Sequence, residues 1–279
     1  VSDIPEPAAV TYASYLRIAE LLELQRPRTA DLDVVAEHDE LLFITIHQVY
    51  ELWFKQVLHE LRGDERAPGT GGVQGALESG DPYAVLGPLG RVLSILKTLV
   101  SQVDVLETMT PLQFASFRAR LDSASGFQSA QFRELEVVLG RRDAAVLTNA
   151  VAGDPIWDRV RAARERPSLW TSYLRFLAAC GHPVPRELLA AGAPTSGGAA
   201  DVQDLLVAVY HDDAAAALVS ERLVDLDEGL QEWRYRHVKM VERTIGTKGG
   251  TGGSSGAAYL AGTLFHPVFP QLWAVRSRF

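Results

Sequence analysis

The sequence predicts an all-α fold, a single-domain helical bundle over residues 1–279, on three observations. Apolar residues recur at three- and four-residue spacing through the long segments, the signature of buried helix faces. No convincing stretch alternates with period two and β-branched enrichment. Cap and stop residues (Asp, Thr-Pro, Gly) sit where those periodic segments begin and end. With 279 residues, 47% of them hydrophobic, the chain can bury a sizeable core.

Taken in order, residues 39–62 form the first strong helix. Asp39 is its expected cap, Phe43, Ile46/His47, Tyr50, Phe54, Val57/Leu58 and Leu61 its stripe, and Gly63 its stop. Glu51 and Lys55 form an i,i+4 pair on its surface. Residues 63–82 (GDERAPGTGGVQGALESGDP) are rich in Gly and Pro and read as a flexible connection. The next helix runs from about Leu89 to Glu107, with Leu89, Val92/Leu93, Leu96, Val100 and Val103 facing the core. Thr110-Pro111 stops it and starts another, Thr110 as cap and Pro111 as first helical residue, ending near Leu121. DSASG (122–126) is a turn, and the helix after it closes at Gly140. Residues 141–200 read as Ala- and Arg-rich helical filler. From about Ser220 a long helix carries Leu226, Leu230, Trp233, His237 and Met240/Val241 on one stripe and stops at Gly246. A Gly/Ser/Thr loop (247–256) and an apolar tail follow.

Composition excludes several functions. The formal net charge is −8, which leaves no cationic excess for nucleic acid. A single cysteine, Cys180, cannot form an internal disulfide or a Cys-based metal site, and reads as a small buried hydrophobe. No uninterrupted apolar run approaches the ~18 residues of a membrane span, and VSDIPEPAAV lacks the features of a secretory signal, so a cytosolic protein is expected.

His47 and His237 lie on apolar stripes of two separate helices. A buried imidazole there is a structural hydrogen-bonder, a metal ligand or a catalytic group. Glu-x-x-His pairs, His-Glu-x-x-His and Cys-x-x-Cys-His are all absent, which leaves a single axial histidine to non-covalent haem as a compatible metal chemistry. The 247–256 loop has neither phosphate-binding signature and follows a helix, so it is a surface linker or a lid on a small ligand. Arg118, after Phe114 and Phe117, is a solvated charge or a carboxylate partner, and Ser125 is by default a turn residue.

Three longer stretches narrow these alternatives. HDELLFITIHQVYELWFKQVLHEL (38–61), LETMTPLQFASFRARLDSASGFQSAQFRELE (106–136) and EWRYRHVKMVERTIGTKGGTGGSSGAAYL (232–260) closely resemble signature blocks of tryptophan 2,3-dioxygenases. TYASYLRIAELLELQ (11–25) resembles a fourth, and the four together cover a little over a third of the chain. The resemblance implies a non-covalent haem b between long helices. His237 would be its axial iron ligand, the other ring nitrogen held by an acceptor. It implies that His47 accepts the indole N–H, Arg118 pairs with the substrate carboxylate, and Thr251 meets the ammonium and carboxylate. Ser125 would lie close to haem and substrate, and Phe43, Phe114 and Leu121 would wall the indole. Tyr12, Tyr15 and Leu16 would reach into a neighbouring subunit's pocket within a homotetramer, so that residues 1–25 are exchanged and 247–256 act as a mobile active-site loop.

The implied reaction is that of tryptophan catabolism by the kynurenine pathway. Both atoms of O2 are inserted across the indole C2–C3 bond of L-tryptophan, giving N-formylkynurenine. The sequence also departs from the family pattern. Ala13 replaces a usual Gly, Val103 stands where many relatives carry a larger residue, and Ala257 and Ala258 replace His/Tyr-type residues. These departures keep open a same-family haem monooxygenase acting on a substituted tryptophan such as β-methyl-tryptophan. A haem-free helical interaction protein is the alternative from another class.

Overall fold

The computed structural model describes residues 9–31, 37–63, 71–147, 150, 153–193, 199–251 and 256–279. Among these no strand occurs, and thirteen α-helices follow one another, joined by short 3-10 turns. They are α1 Tyr12–Leu16, α2 Ile18–Leu22, α3 His38–Arg62, α4 Gly72–Glu78, α5 Pro82–Leu106, α6 Pro111–Arg118 and α7 Ala130–Leu139. The remainder are α8 Pro155–Arg164, α9 Leu169–Ala179, α10 Ala199–Asp212, α11 Ala214–Ile245, α12 Ala257–Ala261 and α13 Pro270–Ala274. The expected all-α fold is what forms.

Helix α5 is the centre of the bundle. Its stripe, Val85, Leu89, Val92, Leu96, Leu99 and Val103, is buried. Tyr50 on α3 donates to the Leu99 carbonyl at 2.9 Å, and Arg91 pairs with Glu60 at 2.9 Å, so α3 and α5 run antiparallel. Helix α11 lies alongside α5 in the same direction, with Arg236 on Asp104 and Arg243 on Glu107. Gly229 permits their close approach: a Cβ there would lie 3.2 Å from Leu96 Cδ1. By length and composition α5 could cross a membrane, although polar residues interrupt its apolar run. Here its apolar stripe is covered by α3, α4 and α11.

Several elements differ from the sequence expectation. Asp39 does not cap α3; Glu37 occupies the N-cap position without a side-chain bond, and Asp39 stands in the first turn. Glu51 accepts from Gln131 at 2.8 Å, tying α3 to α7. The connection 63–82 contains α4, because Val73 and Leu77, four apart, are both fully buried; its residues 64–70 lie outside the described residues. Helix α5 starts at Pro82, seven residues early, since Asp81 accepts from Tyr83 and Ala84 and Pro82 supplies the first helical φ. Pro88 lies inside the helix, where a proline more often marks a boundary.

Residues 141–200 are not filler. Trp170, Tyr173 and Phe176 of α9 are among the largest fully buried side chains. Cys180, expected to be buried, is exposed at the C-cap of α9, past the end of that apolar face. Thr110 does form a capping box, with Gln113, and Pro111 opens α6. Gly63, Gly140 and Gly246 close α3, α7 and α11, all with positive φ.

Candidate active site

The stripes of α3 and α11 meet over a small apolar floor of Ile46, Val103, Leu106, Met109, Phe117 and Met240. Above it lies a cavity with about 1690 Å3 of space between the atoms, part of it open to solvent. His47 and His237 both line it.

His47 Nδ1 lies 2.7 Å from the carbonyl oxygen of Phe43, one helical turn back. A carbonyl only accepts, so Nδ1 carries the proton and Nε2 presents a lone pair. Burial lowers the pKa of this ring, against the opposing pull of the Phe43 carbonyl and Glu51, and keeps it neutral at pH 7. The Phe43 ring packs on it at 4.1 Å between centroids.

His237 stacks on Trp233 one turn earlier, with centroids 5.6 Å apart and planes at 16°. Burial, and secondarily the charge of His47, push its pKa down to about 4. The ring is withdrawn from bulk water but keeps some accessible surface, because it faces the cavity. Among the described residues no hydrogen bond to this ring is found, so the acceptor expected for its second nitrogen is not in place.

The opposite rim is built from α6 and the turn after it. Phe43, Phe114 and Phe117 form an aromatic corner with centroids 5.4–5.8 Å apart. Arg118 ends α6, and its Nη2 donates to the Gly249 carbonyl in the Gly-rich loop. Thr251 Oγ1 donates to the Ala124 carbonyl at 2.5 Å, so the loop and the SASG turn are joined. Ser125 is both a turn residue and a lining residue: its Oγ accepts from the Phe127 N–H at 3.4 Å while it borders the cavity.

The structure thus gathers Phe43, His47, Phe114, Arg118, Leu121, Ser125, His237 and Thr251 around one cavity. It does not bring Tyr12, Tyr15 or Leu16 there; they stand on α1 at 79%, 76% and 42% exposure. Residues 1–8 of the arm and 252–255 of the loop lie outside the described residues. The sequence reading missed a polar wall formed by Arg133, Glu136, Arg141 and Arg234. One signal was available: Arg234 precedes His237 by three residues, and Arg133 precedes Glu136 by three, the spacing of one helix face.

These residues fit a haem. An imidazole neutral down to about pH 4 is a ready iron ligand. A porphyrin brings most of its iron's ligands with it and asks the protein for one strong ligand, which a single buried histidine can supply. The aromatic and methionine side chains that line the cavity suit a flat apolar macrocycle. His237 would hold the iron, while Trp233, Met109, Met240, Phe127 and Phe132 are the apolar residues lining the same cavity.

Comparison with known proteins places the chain in a family. The family model described as Tryptophan 2,3-dioxygenase matches residues 3–170 and 186–279. A tryptophan 2,3-dioxygenase from Anaeromyxobacter sp. (strain K) is 58% identical over 273 residues, covering 97% of this chain and 96% of the relative. Those from Herpetosiphon aurantiacus and from a Nocardioides species are 53% and 45% identical, over 96% and 97% of this chain and 98% and 95% of theirs. Full-length identity at this level means that the chain belongs to the tryptophan 2,3-dioxygenase family.

Proposed function

We propose that the chain is a haem-dependent oxidoreductase that inserts both atoms of O2 across the indole C2–C3 bond of L-tryptophan, releasing N-formylkynurenine. The observation that carries this reading is the pairing of a neutral His237, with no hydrogen-bond partner among the described residues, and a neutral His47 on one cavity, with Arg118 at its rim. Bound haem supplies the O2 chemistry. The chain's own residues position the amino acid, which is where most of their contribution to rate lies.

The lone pair on His47 Nε2 suits an indole N–H, since Nδ1 is already committed to Phe43. Phe43, Phe114 and Leu121 offer an apolar slot for the ring. Arg118 presents a planar fork for the carboxylate, which would exchange places with the Gly249 carbonyl. Thr251 would turn its hydroxyl from Ala124 to the substrate's polar end, beside Ser125. The exposed aromatic face of α1 supports a homotetramer in which Tyr12, Tyr15 and Leu16 complete a neighbour's pocket.

Haem reconstitution tests the reading. Wild-type protein is expected to take up one haem per chain and develop a sharp Soret band. His237→Ala is expected to lose stable haem; full occupancy with an unchanged spectrum would remove His237 as the ligand.

A further inference from the structure

The chain that follows α2 is strapped across two elements of the site. At one end Gln25 Nε2 donates to Gln48 Oε1 at 2.6 Å, and Gln48 Nε2 donates to the Leu24 carbonyl at 3.0 Å. Gln48 follows His47 on α3. At the other end the Arg28 N–H donates to Glu40 Oε1 at 2.9 Å, while its Nη1 donates to the Arg120 carbonyl at 3.0 Å. Thr29 adds its N–H and its hydroxyl to Glu40 Oε2, at 3.0 and 2.6 Å. A buried carboxylate holding three donors is a fixed point, so Arg28 reaches Arg120 from a rigid base.

The segment that Arg28 reaches has little hold of its own. Ala119–Leu121 form a single 3-10 turn with Arg118 as its N-cap. Hydrogen-bond geometry in such turns is poorer than in an α-helix, which keeps them short. Asp122 ends the turn at φ +53°, in the left-handed region that non-glycine residues seldom occupy. Arg118 at its start and Leu121 at its end both line the main cavity. A second tie runs beside the first. The Glu37 N–H donates to Thr29 Oγ1 at 3.1 Å, and Ser116 on α6 donates to the Glu37 carboxylate at 3.0 Å. The strap thus joins the part of α3 that bears His47 to the turn that bears Arg118.

In one tryptophan the indole N–H and the carboxylate are separated by a few bonds, so their two partners must stand at a matching distance. We propose that Arg28 is a positioning residue for the amino-acid substrate, holding the 119–121 turn so that Arg118 keeps its reach from His47. The inference rests on the reading above, in which Arg118 takes the carboxylate. Arg28 itself is exposed and does not line the cavity, so its effect passes through Arg118.

Titration of the Soret band with L-tryptophan, on full-length haem-loaded protein, is the test. Arg28→Ala removes the side-chain bond and leaves the backbone bond to Glu40, so the fold and the haem spectrum are expected to stay as they are. Tryptophan affinity is expected to fall about fivefold, the worth of one ordinary hydrogen bond. Arg28→Lys keeps a donor for the carbonyl and is expected to recover most of that loss. In the Arg118→Ala background Arg28→Ala is expected to weaken binding no further, because a positioning residue then has nothing to position. Unchanged affinity in Arg28→Ala, no recovery in Arg28→Lys, or an equal loss in the Arg118→Ala background overturns the inference. Arg28→Met, which keeps the apolar stem, takes the place of Arg28→Ala should that variant fail to fold. Wild type that shows no tryptophan response removes the functional reading and this inference together. A response lost in Arg118→Ala but intact in Arg28→Ala removes this inference alone.

Discussion

Burial keeps both site histidines neutral, and pH separates them from ordinary histidines. Burial is the main cause at both, but His47 is also fixed as one tautomer by the Phe43 carbonyl, whereas His237 is left with an open donor set. For His237 the folded pKa of about 4 lies below its ordinary 6.5. The unfolded chain therefore binds more protons between those values, and stability present above pH 6.5 is lost as pH falls towards 4. The loss is on the order of 3 kcal/mol for this one group. Urea unfolding of haem-free protein from pH 7 to 4 should show it, and His237→Leu should flatten that window. At the rim, Arg118→Ala should weaken tryptophan binding by roughly 30-fold or more while leaving the haem spectrum intact, because a lost charge pair costs about 2–5 kcal/mol; titration of the Soret band with tryptophan measures it. The sequence alone could place His47 and His237 on apolar stripes but could not choose between structural and catalytic roles. Spacing puts Arg234 near the face of His237, but its partner Glu136, 98 positions away, cannot be read from the sequence.

At the scale of elements, caps and stripes were legible and short buried pieces were not. Thr110-Pro111, Gly63, Gly140 and Gly246 end or begin helices where local chemistry requires it. Helix α4 escaped notice because seven residues bearing two buried apolar side chains carry too little periodicity against a Gly-rich background. The C-terminal tail is a further case. Asp227 on α11, fully buried, accepts the Phe269 N–H at 2.8 Å and Trp273 Nε1 at 3.0 Å, pinning the tail over the core. Asp227→Ala leaves the buried Phe269 N–H and the partly buried Trp273 Nε1 unpaired and should cost about 2–5 kcal/mol, read as a lower urea midpoint with unchanged slope. Nothing in the stripe of α11 marks Asp227 as more than a polar interruption, since its two partners in the tail lie over 40 positions on.

For the whole molecule, the N-terminal arm is where the proposed tetramer is tested. Glu40, 2% exposed, accepts from Arg28 N, Thr29 N and Thr29 Oγ1, anchoring the base of the arm to α3. Beyond that anchor, Tyr12, Tyr15, Leu22 and Leu24 are all more than half exposed. Changing Tyr12 and Tyr15 together to Asp should reduce a tetramer to smaller species by light scattering and weaken tryptophan affinity, with haem retained. An unchanged tetramer with unchanged affinity would remove the arm from the neighbour's pocket. The central claim is the reaction itself, and the most direct measurement is the mass of the product formed by ferrous, haem-loaded protein from L-tryptophan under 18O2. The account predicts N-formylkynurenine carrying two labelled oxygen atoms, formed over many turnovers. A product with one labelled atom, or turnover confined to a substituted tryptophan, would contradict it and make Ala13, Ala257 and Ala258 the first positions to change.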